Sequence, residues 1–205
     1  MEERSSEVIQ DSQLDLLQEI GNIGAGNATT ALASMLRVKI DMNVPKVELL
    51  DFRELPEVLG GAENIVAGIL LMLHQDVEGM MMFAMERDAA HSIVDILLGQ
   101  ENSAHEEFNE IESSALQEVG NIITGAYLNS LSGLTGLKIE PSIPYISIDM
   151  AGAILSVPAI EFGKVGDKAL LIQTEFGQKE VQINGYFILI PTMESSDKIM
   201  KSLGL

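Results

Sequence analysis

The chain has 205 residues, 46% hydrophobic and 21% charged, with 31 acidic and 12 basic side chains and a formal net charge of −19. That apolar content can bury a sizeable core, which excludes a disordered chain, while strong negative charge with few aromatics excludes nucleic-acid and anionic-membrane binding. The longest apolar run, Ile65 to Leu73, falls far short of the roughly 20 residues a spanning helix needs, no Cys is present, and the first residues lack a secretory pattern, so a cytoplasmic protein is expected.

In chain order, the spacing predicts a helix from about Ser12 to Leu36, opened by Ser12 and Asp15 at capping-box spacing. A strand-like stretch, Val38 to Leu50, is interrupted by Pro45. A short helical or loop piece (Arg53 to Leu59), two apolar strands (Asn64 to Leu73 and Gly79 to Met85) and a helix (Asp88 to Leu98) follow. The polar stretch Gly99 to Glu107 reads as a joint. After it come a helix from Asn109, with Glu112 at the N3 spacing, to about Leu131, strands at Leu137–Asp149, Lys168–Phe176 and Val181–Pro191, and a closing helix. Strands in hairpin order predict an α/β fold with a largely antiparallel sheet and helices packed on it. Met80-Met81-Met82 reads as core filler in a strand.

The plan is written twice. Leu17-Gln-Glu-Ile-Gly-Asn-Ile23 recurs as Leu116-Gln-Glu-Val-Gly-Asn-Ile122, and Gly26/Gly125 and Pro45/Pro144 keep the same offset of 99. One globule over 1–205 is expected, with pseudo-symmetric halves 12–99 and 108–205 related by duplication.

Projected at about 100° per residue, Asp15, Glu19, Asn22 and Gly26 form one stripe, opposite Leu17, Ile20, Gly24, Ala28, Ala31 and Met35. In the second copy Ser114, Glu118, Asn121 and Gly125 oppose Leu116, Val119, Ile123, Tyr127 and Leu134. Solvation of a helix face tolerates almost any polar residue and does not require the same Glu and Asn twice. Gly26 and Gly125 each cost a helix roughly 1 kcal/mol relative to Ala, which points to another molecule approaching there. Asp15 is accounted for by capping alone, and Pro45 and Pro144 by an edge strand or bulge.

A carboxamide can accept a hydrogen bond from water and donate another, so it can hold a water in line with phosphorus, as the side-chain amide of GTPases does. A Glu cannot face a phosphate dianion, but it can grip a Lys or Arg of a partner that already holds one. Other patterns carry nothing. Gly21 to Gly26 lacks the preceding strand of a dinucleotide site, His74, His91 and His105 lack ligand spacing, and no nucleophile elbow or Walker A sequence is present.

Asp/Ser-x-x-x-Glu-x-x-Asn followed after 22 residues by Pro resembles the signature of the CheC-type chemotaxis phosphatases, the family of CheC, CheX and FliY. It occurs complete twice: Asp15, Glu19, Asn22, Pro45 and Ser114, Glu118, Asn121, Pro144. The resemblance implies a pseudo-twofold fold with the sites on two long helices, and hydrolysis of the aspartyl phosphate of phospho-CheY. It also implies Asn orienting the water, Glu pairing with the regulator's Lys, Mg2+ held in the CheY active site with no cofactor of the chain's own, and the receptor deamidase CheD as second partner. A monomer is expected. The alternative is an adaptor that binds phospho-CheY or CheD with catalysis incidental. Between the halves, the charged Asp51-Phe-Arg-Glu segment is replaced by an apolar one beginning at Met150. That segment is either buried core or a CheD surface centred on Asp149, Ala151, Gly152, Ala153 and Leu155.

Overall fold

In the computed structural model, which describes residues 2–36, 39, 41–99, 107–162, 168–178 and 181–204, the order is α1 (Glu2–Leu36), β1 (Asp41–Asp51), a 3-10 turn (Phe52–Glu54), α2 (Leu55–Val58), β2 (Ile65–Gln75), β3 (Gly79–Glu86) and α3 (Arg87–Leu98). Then come α4 (Glu110–Thr135), β4 (Ile139–Pro141), β5 (Tyr145–Met150), α5 (Ala151–Phe162), β6 (Lys168–Gln178), β7 (Val181–Pro191) and α6 (Met193–Ser202). Most of the joint expected between Gly99 and Glu107, including His105, lies outside the described residues.

The described strands form one antiparallel sheet in the order β1-β6-β7-β3-β2-β4, with β5 also on β2. The fold is a mixed α/β single domain, as the hairpin order predicted. Its pairing crosses between the halves: β1 lies on β6, and β5 on β2. Both sheet faces are covered. Ala67, Ile69, Leu71 and Leu73 of β2, and Met81, Phe83 and Met85 of β3, join the core under α1 and α4. Val66, Leu70, Met80, Met82 and Ala84 face Leu55, Leu59, Ile154 and Leu155 of α2, its C-terminal edge and α5 on the other side. A strand covered on both faces needs apolar residues at every position, hence the unbroken runs at Ile65–Leu73 and Met80–Met82. No helix among the described residues is long and apolar enough to cross a membrane.

The second long helix starts where its sequence says. Asn109 Oδ1 accepts from the Ile111 and Glu112 amides at 2.9 and 3.1 Å, and the Glu112 carboxylate accepts from the Asn109 amide at 2.8 Å. Such a cap contributes about 1 kcal/mol. Gly136, in the left-handed region at φ 69°, ends it.

Two expected elements are corrected, and one segment gains an element. The first helix begins at Glu2, not Ser12, so Asp15 lies in its interior and caps nothing. The upstream Glu2–Asp11 segment contains no Gly or Pro and several strong helix formers, so nothing stops the helix there. The strand expected over Leu137–Asp149 is broken at residues 142–144, where Ser142 instead bonds β2 through Met72: its amide donates to the Met72 carbonyl at 2.8 Å and its Oγ accepts from the Met72 amide at 3.0 Å. The apolar segment from Ala151, given no element above, is the helix α5 with Pro158 inside it.

Candidate functional site

Both long helices lie side by side on one sheet face, with their apolar stripes inward. Leu17, Ile20, Gly24 and Ala28 of α1 are buried, as are Leu116, Val119, Ile123 and Tyr127 of α4. The opposite stripe is open: Asp15, Glu19, Asn22 and Gly26 are exposed on α1, and Ser114, Glu118 and Asn121 on α4, with Gly125 half-buried. A Cβ at Gly26 or at Gly125 would meet nothing within 4 Å. Space is therefore free beside each Asn. At the far end the projection drifts, and Ala31 and Leu134, expected inward, are exposed.

The motif's first glycines do a different job. A Cβ at Gly21 would come within 3.2 to 3.5 Å of Val44, Val47 and Ile172, and one at Gly120 within 2.5 Å of Ile69. Glycine there lets each helix settle close on the sheet, which fixes the height at which the Glu and Asn leave it.

One pair of residues that sequence reasoning passed over belongs to the same construction. Gln18 Nε2 donates to the Val44 carbonyl at 3.3 Å, and Gln117 Nε2 donates to the Pro144 carbonyl. Each Gln immediately precedes the Glu of its motif, and each acceptor sits at the motif's Pro. The only available signal was that this Gln recurs in both copies.

Pro45 and Pro144 mark irregular backbone at opposite sheet edges. In β1 the pairing with β6 shifts between Asn43 and Lys46, so Val44 and Pro45 face Thr174 alone, and Pro144 lies between β4 and β5. The rims differ. Beside Pro45 stands Lys46, paired with Glu48 at 2.7 Å, whereas Ile143 and Tyr145 flank Pro144 and are 85% and 68% exposed. Asp15 and Ser114 differ too, since the Ser114 hydroxyl donates back to the Glu110 carbonyl at 2.7 Å. Each site thus offers a carboxylate and, three residues on, a carboxamide, both reachable from solvent. Among the described residues no group of three or more His, Asp or Glu could hold a metal ion.

The remaining expected residues fall into two sets. Ala151 and Leu155, expected on a docking surface, are 0% and 3% exposed and belong to the core beneath α5. Asp149 is exposed and Gly152 and Ala153 half-buried, with the Gly152 amide bonded to the Ala62 carbonyl at 2.9 Å. His91 is buried and stacks on Phe108 with ring centroids 4.0 Å apart.

The profile of the CheC-like family matches residues 13–49 and 111–148, which are the two helix-to-Pro segments described above. The chain is 40% identical over 200 residues to the CheY-P phosphatase CheC of Bacillus subtilis, covering 96% of each protein. It is 28% identical over 141 residues to the flagellar motor switch phosphatase FliY of the same organism, covering 68% of this chain and 36% of that one. Among solved structures, Thermotoga maritima FliY shares the fold with a TM-score of 0.72 at 23% identity, covering 93% of this chain and 95% of that one. The FliM middle domain of H. pylori shares it with a TM-score of 0.66 at 14% identity, covering 92% and 98%. With a relative this similar along nearly its whole length, the chain belongs to the CheC-like family.

Proposed function

We propose that the chain hydrolyses the aspartyl phosphate of phosphorylated CheY at two sites, Glu19 with Asn22 on α1 and Glu118 with Asn121 on α4. The chain is a phosphatase, in keeping with its 40% identity to a CheY-P phosphatase. The observation that carries the two-site reading is that both Glu–Asn pairs stand exposed at equivalent positions of two helices, with open space beside each Asn.

The side-chain amide neither gives nor takes a proton at neutral pH. Its carbonyl accepts a hydrogen bond from a water and its nitrogen donates one, so it can hold that water in line with the phosphorus. The water oxygen attacks, the bond from phosphorus to the aspartyl oxygen breaks with its electron pair, and the carboxylate leaves. The water's protons end on inorganic phosphate and solvent. Phosphoryl transfer through a loose transition state needs mainly positioning and charge neutralisation. Glu19 and Glu118 pair with the Lys of CheY beside the phosphate, a charge-assisted contact that docks the Asn. Magnesium stays in the CheY active site, and the chain acts without a cofactor of its own, as a cytoplasmic monomer.

The test is the decay of phospho-CheY timed with the wild-type chain and with Asn22→Ala/Asn121→Ala. The double variant is expected to lose at least about 10²-fold of the acceleration, worth roughly 2.7 kcal/mol, while still binding phospho-CheY. Retained acceleration would reject the Asn assignment, and a cellular effect kept by the double variant after its acceleration is lost would favour the adaptor reading.

CheD is the second proposed partner, on the surface left by Asp149, Gly152 and Ala153 once Ala151 and Leu155 are assigned to the core. Ala153→Asp is expected to abolish a CheD complex in size-exclusion chromatography while leaving phosphatase activity. A complex that survives this change would remove the surface from consideration.

A further inference from the structure

We propose that Gln18 and Gln117 are positioning residues of the two sites, an inference that rests on the phosphatase reading above. Each lies four residues before its Asn, so the two side chains are neighbours one turn apart on the same helix flank. The Gln is half-buried on the side toward the sheet edge, and its amide is already engaged with a backbone carbonyl. It does not need a substrate to explain it.

The acceptors explain why a long donor is required. Val44 lies where two residues of β1 oppose one of β6, and Pro45 next to it has no amide to donate. Pro144 lies in the gap between β4 and β5. Partly buried carbonyls in interrupted strands need a donor from outside the ladder, and the Gln supplies it in both copies. The bond spans 26 residues in the first copy and 27 in the second, joining the Asn-bearing turn of each helix to the Pro-bearing edge of the sheet.

A tie at that height resists rolling of the helix about its own axis, the motion that would swing the Asn off line. A misplacement of about 1 Å costs a positioned reaction on the order of 10²-fold, and a partial loss of restraint costs less. The Gln acts through the Asn and touches neither phosphate nor water.

The experiment compares the full wild-type chain with Gln18→Met/Gln117→Met, which keeps the length but not the donor, and with Gln18→Glu/Gln117→Glu, which keeps the shape but offers an acceptor. Phospho-CheY is the substrate, kcat and KM are read separately, and urea unfolding is followed alongside; if the double variant does not fold, Gln117→Met is added to an Asn22→Ala chain and compared with Asn22→Ala alone, so that only the α4 site is read. The expected result is a kcat lowered by roughly tenfold in the Met variant, lower still in the Glu variant, with KM held within about twofold and the unfolding midpoint little changed. An unchanged kcat with a lowered midpoint would make the Gln a fold contact only, and a raised KM with kcat kept would make it a substrate contact; either overturns the proposal. A wild-type chain that leaves phospho-CheY decay unaccelerated overturns the phosphatase reading itself, and this inference with it.

Discussion

Set side by side with a shift of 99 residues, α1 and α4 carry the same Gln, Glu, Gly and Asn at 18, 19, 21, 22 and at 117, 118, 120, 121. One turn further along, on the buried side, they part company: Gly24 and Ala28 of α1 correspond to Ile123 and Tyr127 of α4. The Tyr127 ring packs directly over Gly24, where any Cβ would collide with it, and stacks on Phe187 with centroids 4.3 Å apart. Burial holds the Tyr127 hydroxyl well above the ordinary phenol range. Small residues on one helix against large ones on the other fill the same space as two matched helices would. Packing therefore permits the copies to diverge, provided the volumes still sum. The exposed residues are under no such packing demand, so their identity in both copies calls for a cause outside the fold.

That contrast can be broken most sharply at the glycines facing the sheet. Gly120→Ala would bring a Cβ to 2.5 Å from Ile69, against 3.2 to 3.5 Å from the neighbours of Gly21. Urea unfolding is expected to show Gly120→Ala destabilised by about 1–3 kcal/mol through overpacking. Gly21→Ala should lie close to wild type, because a gain of roughly 1 kcal/mol in helix propensity offsets the tighter contact. Equal losses at both would mean that the two helices sit on the sheet in the same way.

A smaller effect sharpens the outward half of the comparison. Gly26→Ala and Gly125→Ala place a methyl group in open space and should each stabilise the chain by about 0.5–1 kcal/mol. The same variants are expected to slow dephosphorylation of CheY, because the methyl stands where the regulator would close on the Asn. A stabilised protein of unchanged turnover would withdraw that reason for glycine beside the Asn.

Much of this was legible in the residues because the physics was local. The Asn109/Glu112 cap, the strands at 64–73 and 79–85, and the exposed stripe of each helix follow from hydrogen-bonding groups and periods within a few residues of one another. What escaped depended on distant partners. Residues 151–160 carry Gly152 and Pro158 and are apolar except for Ser156, so their sequence shows neither a helical period nor a clean strand, and Ala151, Ile154 and Leu155 find their place by burial with Val66, Met82 and Ile188. Gln18 and Gln117 looked like ordinary helix surface, because the carbonyls they serve arise from strand interruptions 26 and 27 residues away. The start of α1 is hidden by a capping pattern, Ser12 with Asp15, that lies inside a longer helical run beginning at Glu2.

The exchange of outer strands, β1 onto β6 and β5 onto β2, ties each half of the chain to the other. Neither half can complete its portion of the sheet until the other has been made, so a ribosome must release nearly all of the polypeptide before the final hydrogen-bonded ladder can close. Assembly is thereby weighted toward slow, non-local contacts, and the sheet beneath the two exposed Glu–Asn stripes is completed only when both halves are present.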